Sequence, residues 1–316
     1  MTDATLHPDT RAPDVPPPLA GAAEQTLAHS RQTLAQRALG SLLASKVALV
    51  SLALVVGLVI VATFAHWISP HAPGEMSLVN RRLYPAFAAT GKTNPAYLLG
   101  TDGLGRDILS RLIYGARMTL IVAFSSVLLG GLIGVMAGLL AGYFGKWADA
   151  IIMRLADLQL AFPSLLLGLI AMALLGSGVV ELVIVIALTQ WAVYARVVRS
   201  EVLKVKQLEF VQGARALGAG KWRIIFRHVF PNTVASMLVV ASFSLAMAIY
   251  YEAALSFFGL GVPPAIPTWG NMLADARDII FRDFYAPLWP GLAITATVLA
   301  FNLLGDWVRD FFDVRI

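Results

Sequence analysis

Met118–Tyr143 reads MTLIVAFSSVLLGGLIGVMAGLLAGY, an unbroken run with no acidic or basic residue. A helix that crosses the hydrocarbon of a bilayer needs roughly 20 mostly apolar residues, and this run is long enough. Arg117 opens it and Gly145-Lys146 closes it. Inside it, Gly130, Gly134, Gly138 and Gly142 recur at a spacing of four. Positions i and i+4 share one helix face, so the glycines make a groove that lets another backbone approach closely. Membrane helices associate through such small residues, because lipid supplies no hydrophobic drive between them. The stretch predicts a membrane helix inside a tightly packed bundle.

Working outward, comparable apolar stretches lie at Val47–Ile68, Ile151–Leu175, Glu181–Val198, Val234–Leu255 and Leu288–Trp307. The third span of the resulting six carries Arg154 and Asp157 near its start and Pro163 inside. Arg154 and Asp157 lie three apart on one face, which predicts a pair holding the end of that span. Broken helices at mid-membrane in paired positions are not evident in the pattern. The bulk composition agrees: of 316 residues, 58% are hydrophobic and 14% charged, against about 25% charged in soluble domains. The expectation is an all-α integral membrane protein with six transmembrane helices. The chain has no cysteine, which excludes disulfides, thiolate catalysis and cysteine metal sites.

Six spans put both termini on one side. The tails and the loops after spans two and four carry 16 of the 24 Lys and Arg residues, the other face holding Arg81, Arg82, Lys92, Arg106, Arg111, Arg117, Arg277 and Arg282. The positive-inside rule places both termini in the cytoplasm. Six of those eight crowd the loop between spans one and two, where Glu75, Asp102 and Asp107 offset part of the charge. Basic residues placed this way are orientation signals and not a nucleic-acid surface. Residues 1–40, with Pro8, Pro13, Pro16, Pro17 and Pro18, read as a disordered cytoplasmic tail. Residues 41–116 read as the first span and its extracytoplasmic loop, and 117–316 as a five-helix core.

Within that core the loop 200–231 is long, basic and amphipathic. Phe210, Ala214 and Leu217 recur along one face of a short helix, which Gly218 and Gly220 then break. Trp222, Ile225, Phe226 and Val229 form a second stripe, Lys221, Arg223 and Arg227 point elsewhere, and Pro231 closes the unit. Two such helices bury their apolar faces against the membrane interface or against a partner groove.

Gln212-Gly213-Ala214-Arg215-Ala216-Leu217-Gly218 and, nine residues on, His228-Val229-Phe230-Pro231 resemble the EAA loop of ABC importer permeases. Gln212 and Gly213 stand where that pattern has Glu and Ala, and His228 and Phe230 where it has Ile and Leu. Two other segments resemble the C-type permeases of the dipeptide, oligopeptide and nickel family. One runs Leu99-Gly100-Thr101-Asp102-Gly103-Leu104-Gly105-Arg106-Asp107 and on to Arg117; the other is Leu255–Gly261 followed by Pro263, Pro264, Trp269, Gly270, Asn271 and Met272. Ala300–Asp306 with Arg309-Asp310 is similar to the end of the same proteins. The resemblance covers roughly residues 42 to 315.

It implies the type I ABC importer permease fold in the bacterial inner membrane. It also implies a second permease subunit beside this chain, two cytoplasmic ATPase subunits below and an extracytoplasmic solute-binding protein above. ATP and Mg would sit on the ATPases, one of which would receive the 200–231 loop as a coupling helix. By their own chemistry, Thr101, Asp102, Gly103 and Gly105 make a turn and Asp107 caps the next helix. This is a structural entry to the membrane or a receptor contact. Glu252, a carboxylate within a span, lines the solute path or anchors a helix contact.

Chemistry of the chain's own is not apparent. No G-x-x-x-x-G-K-[ST] phosphate loop and no H-E-x-x-H occurs, so no nucleotide, cofactor or metal is expected on this chain. The competing class is a secondary transporter or channel that works without ATPases. Ionisable groups within spans mark ion relays in such proteins, and here only Glu252 lies well inside one. Dipeptides, longer peptides, glutathione-like molecules and nickel chelates all remain as solutes.

Overall fold

The computed structural model describes residues 34–89, 91–281 and 283–313. Residues 1–33 of the expected tail lie outside them. Leu34–Ala44 (α1) forms a helix in a unit of its own, and the elements from Ser45 onward form the second unit. The prolines end before α1, and its Leu, Ala, Gln and Arg are good helix formers.

Lys46–Thr63 (α2) is the first span, started by Ser45, whose hydroxyl accepts from the Ala48 N–H. It turns at Phe64 into the single-turn Ala65–Ile68 (α3). Ile108–Phe144 (α4) runs 37 residues, about 55 Å at 1.5 Å per residue, well beyond the roughly 30 Å of bilayer hydrocarbon. The helix expected to start after Asp107 and the span itself are thus one. Asp107 caps it, accepting from the Ser110 N–H at 2.9 Å.

The third span is not straight. Lys146–Leu160 (α5) and Ser164–Leu175 (α6) meet at 90°. Pro163 cannot donate, and it drives the residue before it out of the helical region; Pro163 itself is extended at ψ 120°. Among the described residues this is the one bent pair, so broken helices in paired positions are not formed. Val179–Val205 (α7) follows, then Glu209–Ala216 (α8), Lys221–Ile224 (α9), a π-helical turn at Ile225–Val229, and Phe230–Phe257 (α10). Trp269–Ala276 (α11) precedes Tyr285–Asp313 (α12). Among the described residues, α2, α4, α7, the 221–257 helix and α12 are each long and apolar enough to cross a membrane, and the bent pair, counted as one span, brings the number to six.

The glycine face of α4 packs on α7, the most extensive helix contact in the bundle. A Cβ at Gly134 would lie 2.3 Å from the Trp191 carbonyl, and one at Gly130 or Gly138 would lie 2.7 or 2.6 Å from the carbonyl of Ala187 or Ala195. Backbone against backbone leaves room for hydrogen alone. The pair expected between Arg154 and Asp157 does not form: Asp157 accepts from Arg196 on α7, while Asp149 takes both ends of Arg199 at 2.5 and 2.6 Å. The interhelical partner wins because the α5–α7 packing brings its guanidinium directly opposite the carboxylate.

Candidate functional site

Two regions carry chemistry. The first is the basic loop between α7 and α10. Its helix α8 is held to the body by Val211, which is buried, by Gln212, whose amide donates to the Lys206 carbonyl at 3.0 Å, and through Lys206, whose ammonium donates to the Gly142 carbonyl at 2.8 Å. The opposite face is open. Phe210 is 48% exposed and Leu217 91% exposed, with Ala214 half-buried between them and Gly213, Arg215 and Ala216 exposed.

Gly218 ends α8 at φ +80°. The Ala219 N–H donates to the Ala214 carbonyl and the Gly218 N–H to the Arg215 carbonyl. This is the Schellman closure, in which the left-handed residue is nearly always glycine. It turns the chain sharply and leaves Leu217 at the tip. The second expected helix is not separate, because α9 and the π turn continue directly into α10. Pro231 therefore lies inside a continuous helix and does not close a unit. Its missing N–H is absorbed locally: the Phe230 N–H reaches back to the Ile225 carbonyl, and the Asn232 amide donates to the His228 carbonyl at 2.7 Å. A cavity of about 440 Å³ separates α8 from the end of α4, lined by Tyr143, Phe144, Val211, Arg215, Lys221 and Ile224 among others.

The second region joins the 69–107 loop to α11. Gly100, Thr101, Asp102, Gly105, Arg106 and Asp107 come together there, and all six are buried. Thr101 holds the loop by accepting from the Leu83 N–H at 2.9 Å and donating to the Asn80 carbonyl. Gly105 at φ +76° lies against the Ser77 backbone, where a Cβ would come within 1.9 Å of the carbonyl oxygen. The Asp102 carboxylate accepts from the N–H groups of Leu104 and Arg106, from Arg106 Nε at 2.7 Å and from Arg111 at 2.5 Å. Asp275 of α11 accepts from Arg106 Nη2 at 2.8 Å and from Arg111 Nη1, the nitrogen that also reaches Asp102, at 3.0 Å. Two arginines and two aspartates thus balance in charge. Arg111 and Asp275 are not among the site residues expected from sequence, and no local spacing signals them, because they lie 164 positions apart.

The α11 segment is pinned as firmly. Trp269 donates from Nε1 to the Leu112 carbonyl at 3.0 Å, and the Asn271 amide reaches the carbonyls of Val262 and Ile266. Glu252, on α10, is fully buried; it accepts from Thr119 of α4 at 3.1 Å and from Ser256 at 2.9 Å. It therefore ties two spans together in this conformation. Among the described residues no group of three or more His, Asp or Glu side chains is arranged to hold a metal ion.

Residues 134–316, the region with α7, α8 and α10–α12, match the family described as binding-protein-dependent transport system inner membrane component. The chain belongs to that family. Residues 33–85 match the N-terminal transmembrane domain of oligopeptide transport permease C. Among similar proteins, the di/tripeptide transport system permease protein DppC of Pseudomonas aeruginosa is 43% identical over 82% of this chain and 85% of its own length. The glutathione transport system permease protein GsiD of Pectobacterium atrosepticum is 46% identical over 70% of this chain and 73% of its own. The dipeptide transport system permease protein DppC of Alkalihalophilus pseudofirmus is 38% identical over 86% and 87%. The 134–316 match holds the end of α4, the bent pair, α7, the α8 loop, the 221–257 helix and α12, and the 33–85 match holds α2.

Proposed function

We propose that this chain is the permease subunit of an ATP-driven importer of short peptides, with α8 as the element that couples it to an ATPase. The observation that carries the reading is the open apolar face of α8. Phe210 and Leu217 project from a rigidly closed helix, inside a family of binding-protein-dependent transporters. Apolar side chains presented this way on an amphipathic helix suit a groove on a partner.

The rest follows from that placement. The α8 side is cytoplasmic, as the excess of basic residues there supports, and so are both termini. ATP and Mg reside on two ATPase subunits, and a second permease completes the path through the lipid. A solute-binding protein docks on the opposite face, where Met76, Leu78, Val79, Phe281 and Phe284 stand exposed. The buried Gly100–Asp107 turn shapes that face from below instead of touching the receptor. Closure of the ATPase dimer moves α8, and the continuous 221–257 helix transmits the motion as a rigid body to the spans. Peptides are the solute because the relatives are named for dipeptides, tripeptides and glutathione.

The test is to tag the chain, extract it in mild detergent and identify what co-purifies. A second permease with soluble ATPases, and ATP hydrolysis by the complex, is the expected result. Recovery of this chain alone, with uptake driven by an ion gradient and no ATP, would overturn the reading.

A further inference from the structure

A groove of about 240 Å³ opens between α7, α10 and the break of the bent span, with Leu160, Ser164, Thr189, Gln190, Ser244 and Tyr251 in its wall. Gln190 sits near the middle of α7 (Val179–Val205) and Ser244 near the middle of α10 (Phe230–Phe257). Gln190 is only 6% exposed, yet neither its amide nitrogen nor its amide oxygen has a hydrogen-bond partner. Thr189 beside it is already satisfied, donating to the Ile186 carbonyl at 2.7 Å. The rim of the groove is the start of α6, where no side chain caps the helix after Pro163.

A buried polar group without a partner costs about 1–3 kcal/mol, and both ends of this amide are bare. The groove is mostly apolar, with Val193, Val240, Phe243 and Met247 completing its wall, so the bare carboxamide stands out in it as a polar group that hydrocarbon would not satisfy. The space is about eight times the share of one water molecule in the liquid, enough for a small part of a solute. Its polar part is a few hydroxyls and one carboxamide, with no ionised side chain. A carboxamide offers one donor face and one acceptor face, which is what a peptide bond presents in reverse.

We propose that Gln190 is a solute-contact residue, pairing with a backbone amide of the peptide as it passes the middle of the membrane. This rests on the peptide-importer reading above. Because the contact reads the backbone and not a side chain, it serves peptides of any sequence. Broken helices at mid-membrane are a recurring way of building such sites in transporters, and here the 90° bend between α5 and α6 makes the room.

The test uses proteoliposomes holding the complete transporter and its binding protein. ATP-driven uptake of a dipeptide is compared with that of its depsipeptide, in which an ester replaces the peptide bond and removes its N–H. For Gln190→Leu the dipeptide-to-depsipeptide ratio is expected to fall about two- to ten-fold relative to wild type, the span of one neutral hydrogen bond. An unchanged ratio overturns the contact. No ATP-driven uptake of either compound by wild type overturns the importer reading itself, and the inference with it, so the two failures are told apart. If Gln190→Leu does not assemble, the cysteine-free chain allows Gln190→Cys, with any cysteines of the partner subunits replaced. Modification by a small charged thiol reagent, slowed by dipeptide-loaded binding protein with ATP, supports the contact. No modification means a dry site, and modification at the same rate in both conditions means a water pocket; either result overturns it.

Discussion

Arg106 and Asp275 are separated by 169 positions in the chain and by 2.8 Å in space. The contact fastens the turn before the second span to the helix after the fifth. Arg111, with only 2% of its side chain exposed, completes the clasp by reaching both Asp102 and Asp275. A buried charge is tolerated when it is paired and hydrogen-bonded, and removing one partner leaves the others uncompensated.

Asp102→Ala is therefore expected to destabilise the loop by about 3–5 kcal/mol, the range for breaking a buried pair. Asp275→Ala should cost less, because Asp275 is 35% exposed where Asp102 is 10% exposed. Thermal unfolding in detergent, followed by proteolysis of the 69–107 loop, gives the ranking. Equal melting temperatures for the two variants would contradict it.

Gly131 and Gly134 lie three positions apart on α4 and should respond differently to one added methyl. A Cβ at Gly134 meets the Trp191 carbonyl at 2.3 Å, whereas one at Gly131 meets the Tyr194 ring at an ordinary 3.6 Å. Gly134→Ala is expected to destabilise the bundle by about 1–3 kcal/mol through overpacking, and Gly131→Ala to be neutral. Detergent melting curves of the two variants side by side decide this.

On α8, the proposed coupling helix, Ala214→Asp puts a charge between Phe210 and Leu217 without touching the buried Val211. Gly218→Arg forces a side chain into the left-handed region at φ +80°, a strain of about 1–3 kcal/mol, although the space around it is open. Both are expected to insert normally and to separate ATP hydrolysis from uptake. Full uptake by both would remove α8 from the coupling role.

Glu252→Gln keeps a group able to pair with Thr119 and Ser256, so near-normal uptake is expected. Glu252→Leu orphans both hydroxyls in the membrane interior at about 1–3 kcal/mol, and the melting temperature should drop. A loss of transport in Glu252→Gln with an unchanged melting temperature would instead assign the carboxylate to the solute path.

The span pattern, the glycine face and the stripe of Phe210, Ala214 and Leu217 were all legible in the sequence, because each is a local periodicity along a single helix. The continuity of Lys221 through Phe257 was not. Pro231 reads as a stop, and only a π turn together with the side chain of Asn232 makes it harmless. The bend at Pro163 was visible as a proline, but its 90° angle depends on the packing of α5 and α6 against α7 and α10.

What the sequence alone determined is the class: an all-helical membrane protein whose apolar runs are long enough to cross lipid, with a loop of family-like pattern. Hydrophobic length and helical period act residue by residue, so they need no knowledge of neighbours. The tertiary structure decided the pairings. Asp157 could have met Arg154 one turn away and instead meets Arg196; Asp102 and Asp275 share two arginines; Gln190 is left bare beside a groove. Charges and amides in low dielectric take the partner that packing brings within about 3 Å, and packing is a property of the whole bundle.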